Sequence, residues 1–243
     1  MQGPSPAPLR HCQAQGGGVE PPAMAFDHVT TWIFDLDNTL YPPEAALFSQ
    51  IEARMTAHVS RLLGVDAPEA DRLRAHYWRD YGTTLAGLMA RHKIDPHAYL
   101  LDVHDIDFSV LDPDPDLGRA IAALPGRKIV HTNADAQYAG KVLGRLGLDG
   151  FETVIGIGEV DFHPKPDPRA YAAVIAATGL DPSRAAMFED DPRNLQVPAR
   201  LGMETILVGE GRLGPDAPAG NGQHGAHVRH HTRDLTAFLR ALV

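Results

Sequence analysis

Two short acidic segments of this sequence carry side chains suited to metal and phosphate chemistry. Asp35 and Asp37 stand in the segment DLDNT, directly after the apolar run VTTWIF, and Glu189, Asp190 and Asp191 follow AAMF. Residues two apart in an extended backbone point to the same side, so the first two carboxylates can face one small volume. If both segments meet, charges about 4 Å apart repel by roughly 4 kcal/mol at an effective dielectric near 20. A cation must offset this repulsion, and an all-oxygen donor set favours Mg²⁺.

Two further segments supply groups that bind anions. The apolar stretch KIV leads into His131, Thr132 and Asn133, before a predicted helix. Helix N-termini favour anions, so Thr132 and Asn133 are candidate ligands of a phosphoryl group. Lys165 stands between two prolines in HPKPDP, before a helix that Asp167 is expected to cap. Its ammonium group can neutralise a phosphoryl oxygen and an attacking carboxylate together.

The periodicity of apolar residues predicts the elements that hold these segments. A buried strand is predicted at 29–36, and strands then alternate with helices from about Gly126 onward. Further strands are predicted at 127–132, 153–157, 185–190 and 204–208, and helices at 136–146, 168–177, up to Leu201, and 232–242. This alternation is typical of an α/β fold, in which a Rossmann-like parallel sheet carries helices on both faces. Ligands of such sheets bind beyond the C-terminal ends of the strands, where all these polar segments fall.

A series of helical patterns follows the first predicted strand. Leu47, Ile51, Met55 and Val59 recur every four residues, and Gly64 ends this predicted helix. Further helices are predicted at 68–81, 83–92 and 96–101, with no strand between them. We therefore predict a small all-helical cap at 43–107, inserted into an α/β catalytic core formed by 24–42 and 108–243.

Residues 1–23 differ in composition from the rest of the chain. They are rich in Pro, Gly, Gln and Ala, and they show no apolar period. Such a composition buries too little apolar surface to fold, so we expect a disordered tail, with Met24 as a candidate start of translation. The single cysteine, Cys12, lies in this tail, which excludes a disulfide framework and a cysteine metal site. A cytoplasmic location is therefore expected.

The charge balance limits the partners of this protein. The chain has 31 acidic and 22 basic side chains, a formal net charge of −9. No basic stripe offsets this charge, so a nucleic acid polymer is not an expected partner. Neither a membrane-spanning apolar run nor a signal peptide is predicted, so no membrane partner is expected either. The sequence leaves open whether the protein is a monomer or a homodimer.

The order of the motifs DLDNT, HTN, KP and FEDD resembles the four-motif signature of the haloacid dehalogenase superfamily of phosphohydrolases. The resemblance implies that Asp35 is a nucleophile that becomes a phosphoaspartate. It implies that Asp37 is a general acid and then a base toward water. Thr132 and Lys165 would bind phosphoryl oxygens, and Asp35, the backbone carbonyl of Asp37, and Asp190 would hold Mg²⁺. The implied substrate is a small-molecule phosphomonoester.

Four residues near these motifs have less defined roles. Thr39 closes the first motif and is a candidate supporting residue. Asn194 stands four residues after Asp190, where many members of the superfamily have a second acidic residue. It can orient metal-bound waters by hydrogen bonding, but it adds no charge. Whether Glu189 or Asp191 supplies the supporting carboxylate stays open.

Several histidines precede the last predicted helix: His224, His227, His230 and His231. A metal site is one interpretation of this group. The surrounding Gly, Asn and Gln residues favour instead a loop with solvated histidines.

Within the superfamily, the sequence resembles the pyrimidine 5'-nucleotidase group through LYPPEAALFSQI, YGTTLAGL and FEDDPRNLQVPARLGM. This resemblance implies hydrolysis of pyrimidine nucleoside 5'-monophosphates, with Tyr81, Thr83 and Thr84 of the cap as candidate substrate contacts. A general phosphatase for sugar or cofactor phosphates and a hexose phosphate mutase share the catalytic set, so both stay open. A dehalogenase needs no acid at Asp37, and a non-enzymatic module would be expected to lack a charged catalytic residue. Both are disfavoured.

Overall fold

The computed structural model of the chain describes residues 23–211 and 225–243. At its centre is a sheet of six parallel strands in the order β3-β2-β1-β4-β5-β6. The strands are β1 (Thr31–Phe34), β2 (Arg127–His131), β3 (Thr153–Ile155), β4 (Ala185–Glu189), β5 (Glu204–Val208) and β6 (His230–Thr232). The chain order reverses between β1 and β4, and ligands of open α/β sheets bind at such a reversal.

Helices surround this sheet and form a second group beside it. Four helices follow β1 without an intervening strand: α1 (Leu47–Leu63), α2 (Ala67–Tyr81), α3 (Thr84–His92) and α4 (Pro96–Val103). Within the described ranges, the later helices are α5 (Pro115–Ala123), α6 (Ala136–Leu146), α7 (Pro168–Thr178), α8 (Gln196–Arg200) and α9 (Leu235–Arg240). This arrangement confirms the predicted α/β fold with an inserted helical cap. No helix in the described part of the chain is both long and apolar enough to cross a membrane.

Local signals set the helix ends that bring the cap against the core. Gly64 adopts φ 65° and ends α1, as its position predicts. Thr83 caps α3 by accepting a hydrogen bond from the backbone of Ala86 at 3.1 Å. Between α2 and α3, Gly82 adopts φ 89°, and a Cβ atom there would lie 3.4 Å from Pro164. The junction between α2 and α3 therefore lies directly against the loop that carries Lys165.

The buried centre of the sheet aligns the two acidic strand ends. Every residue of β1 and β4 is buried. Phe34 pairs with Phe188 in the register of the two strands, and their rings stack with centroids 4.7 Å apart. Phe34 is the last residue of β1, and Glu189 is the last residue of β4. Asp35, which follows Phe34, therefore lies next to Glu189.

Two helices differ from the sequence predictions. Helix α5 lies where no element is predicted, and it begins after Asp114, whose side chain accepts a hydrogen bond from the backbone of Leu117 at 2.9 Å. Its apolar period is too short to indicate a helix. The last helix begins at Leu235 and not at Thr232, because Thr232 pairs with Val208 at the edge of the sheet.

The predicted loop of solvated histidines is wrong where the chain forms β6. The side chain of His230 is 18% exposed, and its Nε2 lies 3.1 Å from Glu204 Oε2. Its ring lies 4.8 Å from that of Phe26. His227 and His231 are partly buried, and among the described residues no group able to hold a metal includes a histidine of this segment. His224 and residues 1–22 of the predicted tail lie outside the described ranges.

A close backbone approach at Gly156 fixes the end of β3 against the loop before α6. A Cβ atom there would lie 2.6 Å from Ala136 N and 2.7 Å from Ala134 O. Both are backbone atoms, so Gly156→Ala should lower the free energy of unfolding by roughly 2–3 kcal/mol. Gly140→Ala, at an exposed position of α6, should raise it by roughly 0.5–1 kcal/mol, because nothing lies within 4 Å of the added Cβ atom. Urea denaturation measures both variants, and changes of the same sign would contradict the prediction.

Candidate active site

Asp35 lies at the C-terminal end of β1, in the middle of the sheet, and is 5% exposed. Its Oδ1 accepts a hydrogen bond from Lys165 Nζ at 2.6 Å, and its Oδ2 accepts one from Thr39 Oγ1 at 3.0 Å. Its backbone N–H donates to Phe188 O at 2.9 Å. Both carboxylate oxygens are therefore held in one orientation by groups from separate parts of the chain.

A turn, and not an extended strand, relates Asp37 to Asp35. The strand ends at Phe34, and the following turn is closed by a hydrogen bond from Leu40 N to Leu36 O at 2.9 Å. Both aspartates nevertheless line the same cavity. The predicted juxtaposition of the two side chains is therefore seen, but strand alternation is not its cause.

Two tyrosine hydroxyls bind Asp37. Tyr41 donates to Asp37 Oδ1 at 2.5 Å, and Tyr138 donates to the same oxygen at 2.7 Å. Burial raises the pKa of Asp37; the Tyr41 hydroxyl opposes this effect, and the charge of Asp35 adds to it. The net pKa lies above the ordinary value, which suits a carboxyl group that must carry a proton before donating it. Neither tyrosine is among the site residues that the sequence predicts.

Lys165 is 1% exposed and bonds to three acceptors. Its Nζ lies 2.6 Å from Asp35 Oδ1, 2.7 Å from Glu189 Oε2 and 2.9 Å from His131 O. Burial by itself lowers the pKa of Lys165, but the charges of Asp35 and Glu189 outweigh this effect and raise the pKa above its ordinary value. The ammonium group thus remains charged and joins the first acidic segment to the second.

Asn133 holds the loop that carries Lys165. Its Oδ1 accepts from Lys165 N at 2.8 Å, and its Nδ2 donates to Lys165 O at 3.2 Å. These bonds show that Asn133 positions the loop, and because Asn133 also lines the cavity, its contact with phosphate stays a prediction. Thr132 lines the cavity, and its Oγ1 accepts from Ala134 N at 3.0 Å. Both residues precede the start of α6 at Ala136, so they lie in the loop before the helix N-terminus.

Asp35, Glu189 and Asp190 each offer a carboxylate oxygen, and these three atoms lie within 4.8 Å of one another. The pKa of Glu189 lies above its ordinary value because of burial and then because of the charge of Asp35, although Lys165 opposes both. Lys165 alone therefore does not balance the cluster. Three carboxylates and one ammonium group leave a negative charge that a divalent cation would offset. The all-oxygen donor set fits Mg²⁺.

The structure distinguishes the two candidates for the supporting carboxylate. Asp191 Oδ2 accepts a hydrogen bond from Arg193 Nη2 at 2.7 Å, so this carboxylate is paired with a guanidinium group. Glu189 lies in the acidic cluster, and its Oε1 accepts from Asn194 Nδ2 at 3.1 Å. The geometry favours Glu189, and it shows Asn194 in contact with that carboxylate.

A cavity of about 620 Å³ extends from the strand ends into the cap. Its cap wall includes the apolar side chains of Phe48, Ile51, Met55, Leu100 and Val103. Residues of both acidic segments and Lys165 form its floor. The cavity thus combines a charged end with a larger, mainly apolar chamber.

One of the three predicted cap contacts falls outside this cavity. Thr83 and Thr84 line it, but Tyr81 does not, and the Tyr81 ring lies 6.2 Å from that of Tyr77. Trp78, one helical turn earlier, lines the cavity together with Phe48 and Tyr99, whereas its helical spacing predicts packing. The Arg193 guanidinium lies 3.3 Å from the centroid of the Trp78 ring, so this pair joins cap and core.

A family model of haloacid dehalogenase-like hydrolases matches residues 29–202, a range that includes the strand ends and the cap. The chain belongs to the haloacid dehalogenase-like hydrolase family. This match confirms the superfamily resemblance indicated by the four sequence motifs.

Two named proteins are similar in sequence to this chain. Phosphate metabolism protein 8 from Saccharomyces cerevisiae is 26% identical over 193 residues, which cover 72% of this chain and 60% of the yeast protein. N-acetylmuramic acid 6-phosphate phosphatase from Pseudomonas aeruginosa is 28% identical over 183 residues, which cover 74% of this chain and 71% of that protein. The chain thus spans less than two thirds of the yeast relative.

Solved structures share the fold of this hydrolase. The L-2-haloacid dehalogenase from Xanthobacter autotrophicus, with chloropropionic acid covalently bound, has a TM-score of 0.56 at 16% identity, covering 87% of this chain and 97% of its own. The Bacillus subtilis protein YfnB, solved bound to magnesium, has a TM-score of 0.56 at 14% identity, covering 88% and 98%. At these identities the likeness shows the fold alone.

Removal of Lys165 tests the charge balance of the buried cluster. Lys165→Met leaves Asp35 and Glu189 without their counter-charge, so the free energy of unfolding should fall by about 3–5 kcal/mol. Adding Glu189→Gln should restore part of the loss, because it removes one unpaired charge. Lys141→Met, at an exposed position of α6, is the matched control, with an expected change below about 1 kcal/mol. Chemical denaturation without divalent cations measures all three, and equal losses for the two lysines would contradict the prediction.

Proposed function

We propose that this chain is a Mg²⁺-dependent phosphomonoester hydrolase with Asp35 as the nucleophile. The observation that carries the proposal is the contact of Asp35 Oδ1 with Lys165 Nζ at 2.6 Å, beside an acidic cluster and at the floor of a cavity. A carboxylate held in this way keeps a fixed orientation for in-line attack on phosphorus. The name of the Pseudomonas relative, a phosphatase, supports the same reaction class.

The proposed reaction has two steps that use the same residues. An Asp35 oxygen attacks phosphorus, the bond from phosphorus to the leaving oxygen breaks, and Asp37 gives its proton to that oxygen. Asp37 then takes a proton from water as the water oxygen attacks the phosphoaspartate, which releases Asp35 and inorganic phosphate. Lys165 and Thr132 bind phosphoryl oxygens and offset their charge.

The acidic cluster is the proposed magnesium site. Asp35, Asp190 and the backbone carbonyl of Asp37 would hold the ion, and Glu189 would support them. When bound, Mg²⁺ stabilises negative charge on the transferring phosphoryl group as a Lewis acid. The YfnB structure was solved bound to magnesium, which supports this choice of ion.

For the substrate, we propose pyrimidine nucleoside 5'-monophosphates. The proposal is supported by the sequence resemblance of the cap, by Trp78 on the cavity wall, and by Thr83 and Thr84, which line the same cavity. The cavity of about 620 Å³ is roomy enough that size alone does not reject a purine. Discrimination therefore has to come from contacts with the base, each worth about 1–3 kcal/mol.

A sugar phosphate is the second candidate substrate. The Pseudomonas relative is named for a phosphorylated amino sugar acid. The cap wall of the same cavity also includes polar side chains that suit hydroxyl groups, namely Thr56, Asp71 and Arg74. Hydrolysis of hexose phosphates in preference to every nucleotide would favour this candidate.

Replacement of the nucleophile tests the reaction class. Asp35→Asn should lower turnover of p-nitrophenyl phosphate by at least about 10³-fold, because an amide neither attacks phosphorus nor balances the metal charge. Asp149→Asn, at an exposed position, should leave turnover unchanged. Phosphate release is measured with Mg²⁺ and after chelation by EDTA. Activity of Asp35→Asn within tenfold of wild type would exclude Asp35 as nucleophile, and full activity in EDTA would exclude the metal.

A comparison of nucleotides tests the substrate. UMP and CMP should be hydrolysed with a higher kcat/KM than AMP and GMP. Thr84→Val should lower kcat/KM for UMP about tenfold and leave p-nitrophenyl phosphate within about twofold, because one polar contact is lost while the volume stays similar. Thr83 is left intact because it caps α3. Equal rates for all four nucleotides would rule out the pyrimidine proposal and leave the phosphatase reaction untouched.

A further inference from the structure

We propose that Tyr41 and Tyr138 are positioning residues that orient the Asp37 carboxyl group, so that its Oδ2 and not its Oδ1 exchanges the proton with the leaving group. This inference rests on the proposed function, in which Asp37 is the general acid. The two tyrosines come from separate elements: Tyr41 from the segment after the turn that follows β1, and Tyr138 from the first turn of α6.

Both hydroxyl groups bind the same oxygen of Asp37. Tyr41 donates to Oδ1 at 2.5 Å, and Tyr138 donates to it at 2.7 Å. A carboxyl oxygen has two lone pairs, so these two donors occupy Oδ1 fully. The tyrosine hydroxyls are protonated at neutral pH and act as donors. The acidic proton of Asp37 is therefore carried by Oδ2.

The tyrosines are held firmly enough to fix that orientation. Tyr41 is 3% exposed and Tyr138 is 1% exposed, and their hydroxyl oxygens lie 3.4 Å apart. A rotation of the Asp37 carboxyl group would leave both buried hydroxyls without their acceptor, which is unfavourable.

A second pair of side chains supports Tyr138. Its ring stacks on that of His104, with centroids 4.2 Å apart and planes 19° apart. His104 Nδ1 lies 2.6 Å from Asp135 Oδ2, and Asp135 Oδ1 accepts from Tyr138 N at 2.7 Å. His104 directly follows α4, where the chain leaves the cap. The residue that orients the proposed acid is thus also packed against the boundary between cap and core.

The orientation of an acid matters most for poor leaving groups. A well-placed general acid contributes about 10²–10⁴-fold when the leaving oxygen is strongly basic, and far less for an acidic phenol. Loss of the tyrosine hydroxyls should therefore affect an alkyl phosphate much more than p-nitrophenyl phosphate. A purely structural defect would lower both rates together.

The test uses Tyr41→Phe, Tyr138→Phe and their combination, which keep the buried rings and remove only the hydroxyls. Turnover of β-glycerol phosphate should fall about tenfold or more in each single variant and further in the double variant, while p-nitrophenyl phosphate stays within about threefold. Tyr77→Phe is the matched control. It removes a hydroxyl that lies 2.7 Å from His92 Nε2 in the cap, outside the cavity lining, and both rates should stay within about twofold.

A double-mutant cycle separates action through Asp37 from any other cause. In an Asp37→Asn background, Tyr138→Phe should change the residual phosphate release less than about twofold, because the group that it orients no longer carries the acidic proton. Equal losses for the two substrates, or a loss that persists in that background, would overturn the inference. Thermal unfolding of each variant identifies a folding defect, and the two single variants test the same oxygen independently.

The two proposals fail in different ways. If Asp35→Asn abolishes turnover while the tyrosine variants leave the ratio of the two substrates unchanged, only the inference about Tyr41 and Tyr138 is wrong. If Asp35→Asn retains turnover, the proposed function itself is wrong.

Discussion

Asp35, Glu189 and Asp190 bring carboxylate oxygens within 4.8 Å of one another at the C-terminal ends of the two central strands, and the surrounding structure has to offset their mutual repulsion. Lys165 reduces this repulsion directly, because its Nζ donates hydrogen bonds to both Asp35 and Glu189. Asn133 holds the backbone of Lys165 from both sides, so the ammonium group meets the carboxylates at a fixed place. The parallel sheet, the loop before α6 and the proline-flanked loop thus act together, and the remaining negative charge becomes a place for a cation.

The sequence predicts the fold well where local signals and burial agree. The bounds of α6 match those predicted, because an apolar period, a cap residue and a terminal glycine coincide there. Those of β5 match because a buried apolar run ends directly before Gly209. The misses have physical reasons. Strand β6 consists of polar residues at the edge of the sheet, and it exists because β5 offers a partner, which the segment itself does not indicate. Helix α5 is capped by Asp114, but it is too short to show a clear period.

For the site, the sequence predicts which residue types meet but not which atoms bind each other. Asp35, Lys165 and the second acidic segment belong to motifs whose order is informative. The contact of Asp37 with Tyr138 joins residues 101 positions apart, and no local pattern marks it. Asn133 shows the same limit, because its sequence position predicts an anion ligand but does not indicate its two bonds to the backbone of Lys165. The helical spacing of Trp78 predicts packing within the cap, because the same face of a helix can line either the cap interior or the cavity.

The contact between Arg193 and Trp78 also gives this protein a built-in optical signal. The chain has two tryptophans, and Trp32 is 1% exposed in β1, outside the cavity lining. Trp78 lies on α2 with a guanidinium group 3.3 Å from its ring centroid, and that group belongs to the loop beside the acidic cluster. Indole emission depends on nearby charge and on access of water. Separation of α2 from that loop would therefore change the fluorescence of Trp78 against a constant background from Trp32, without any attached dye.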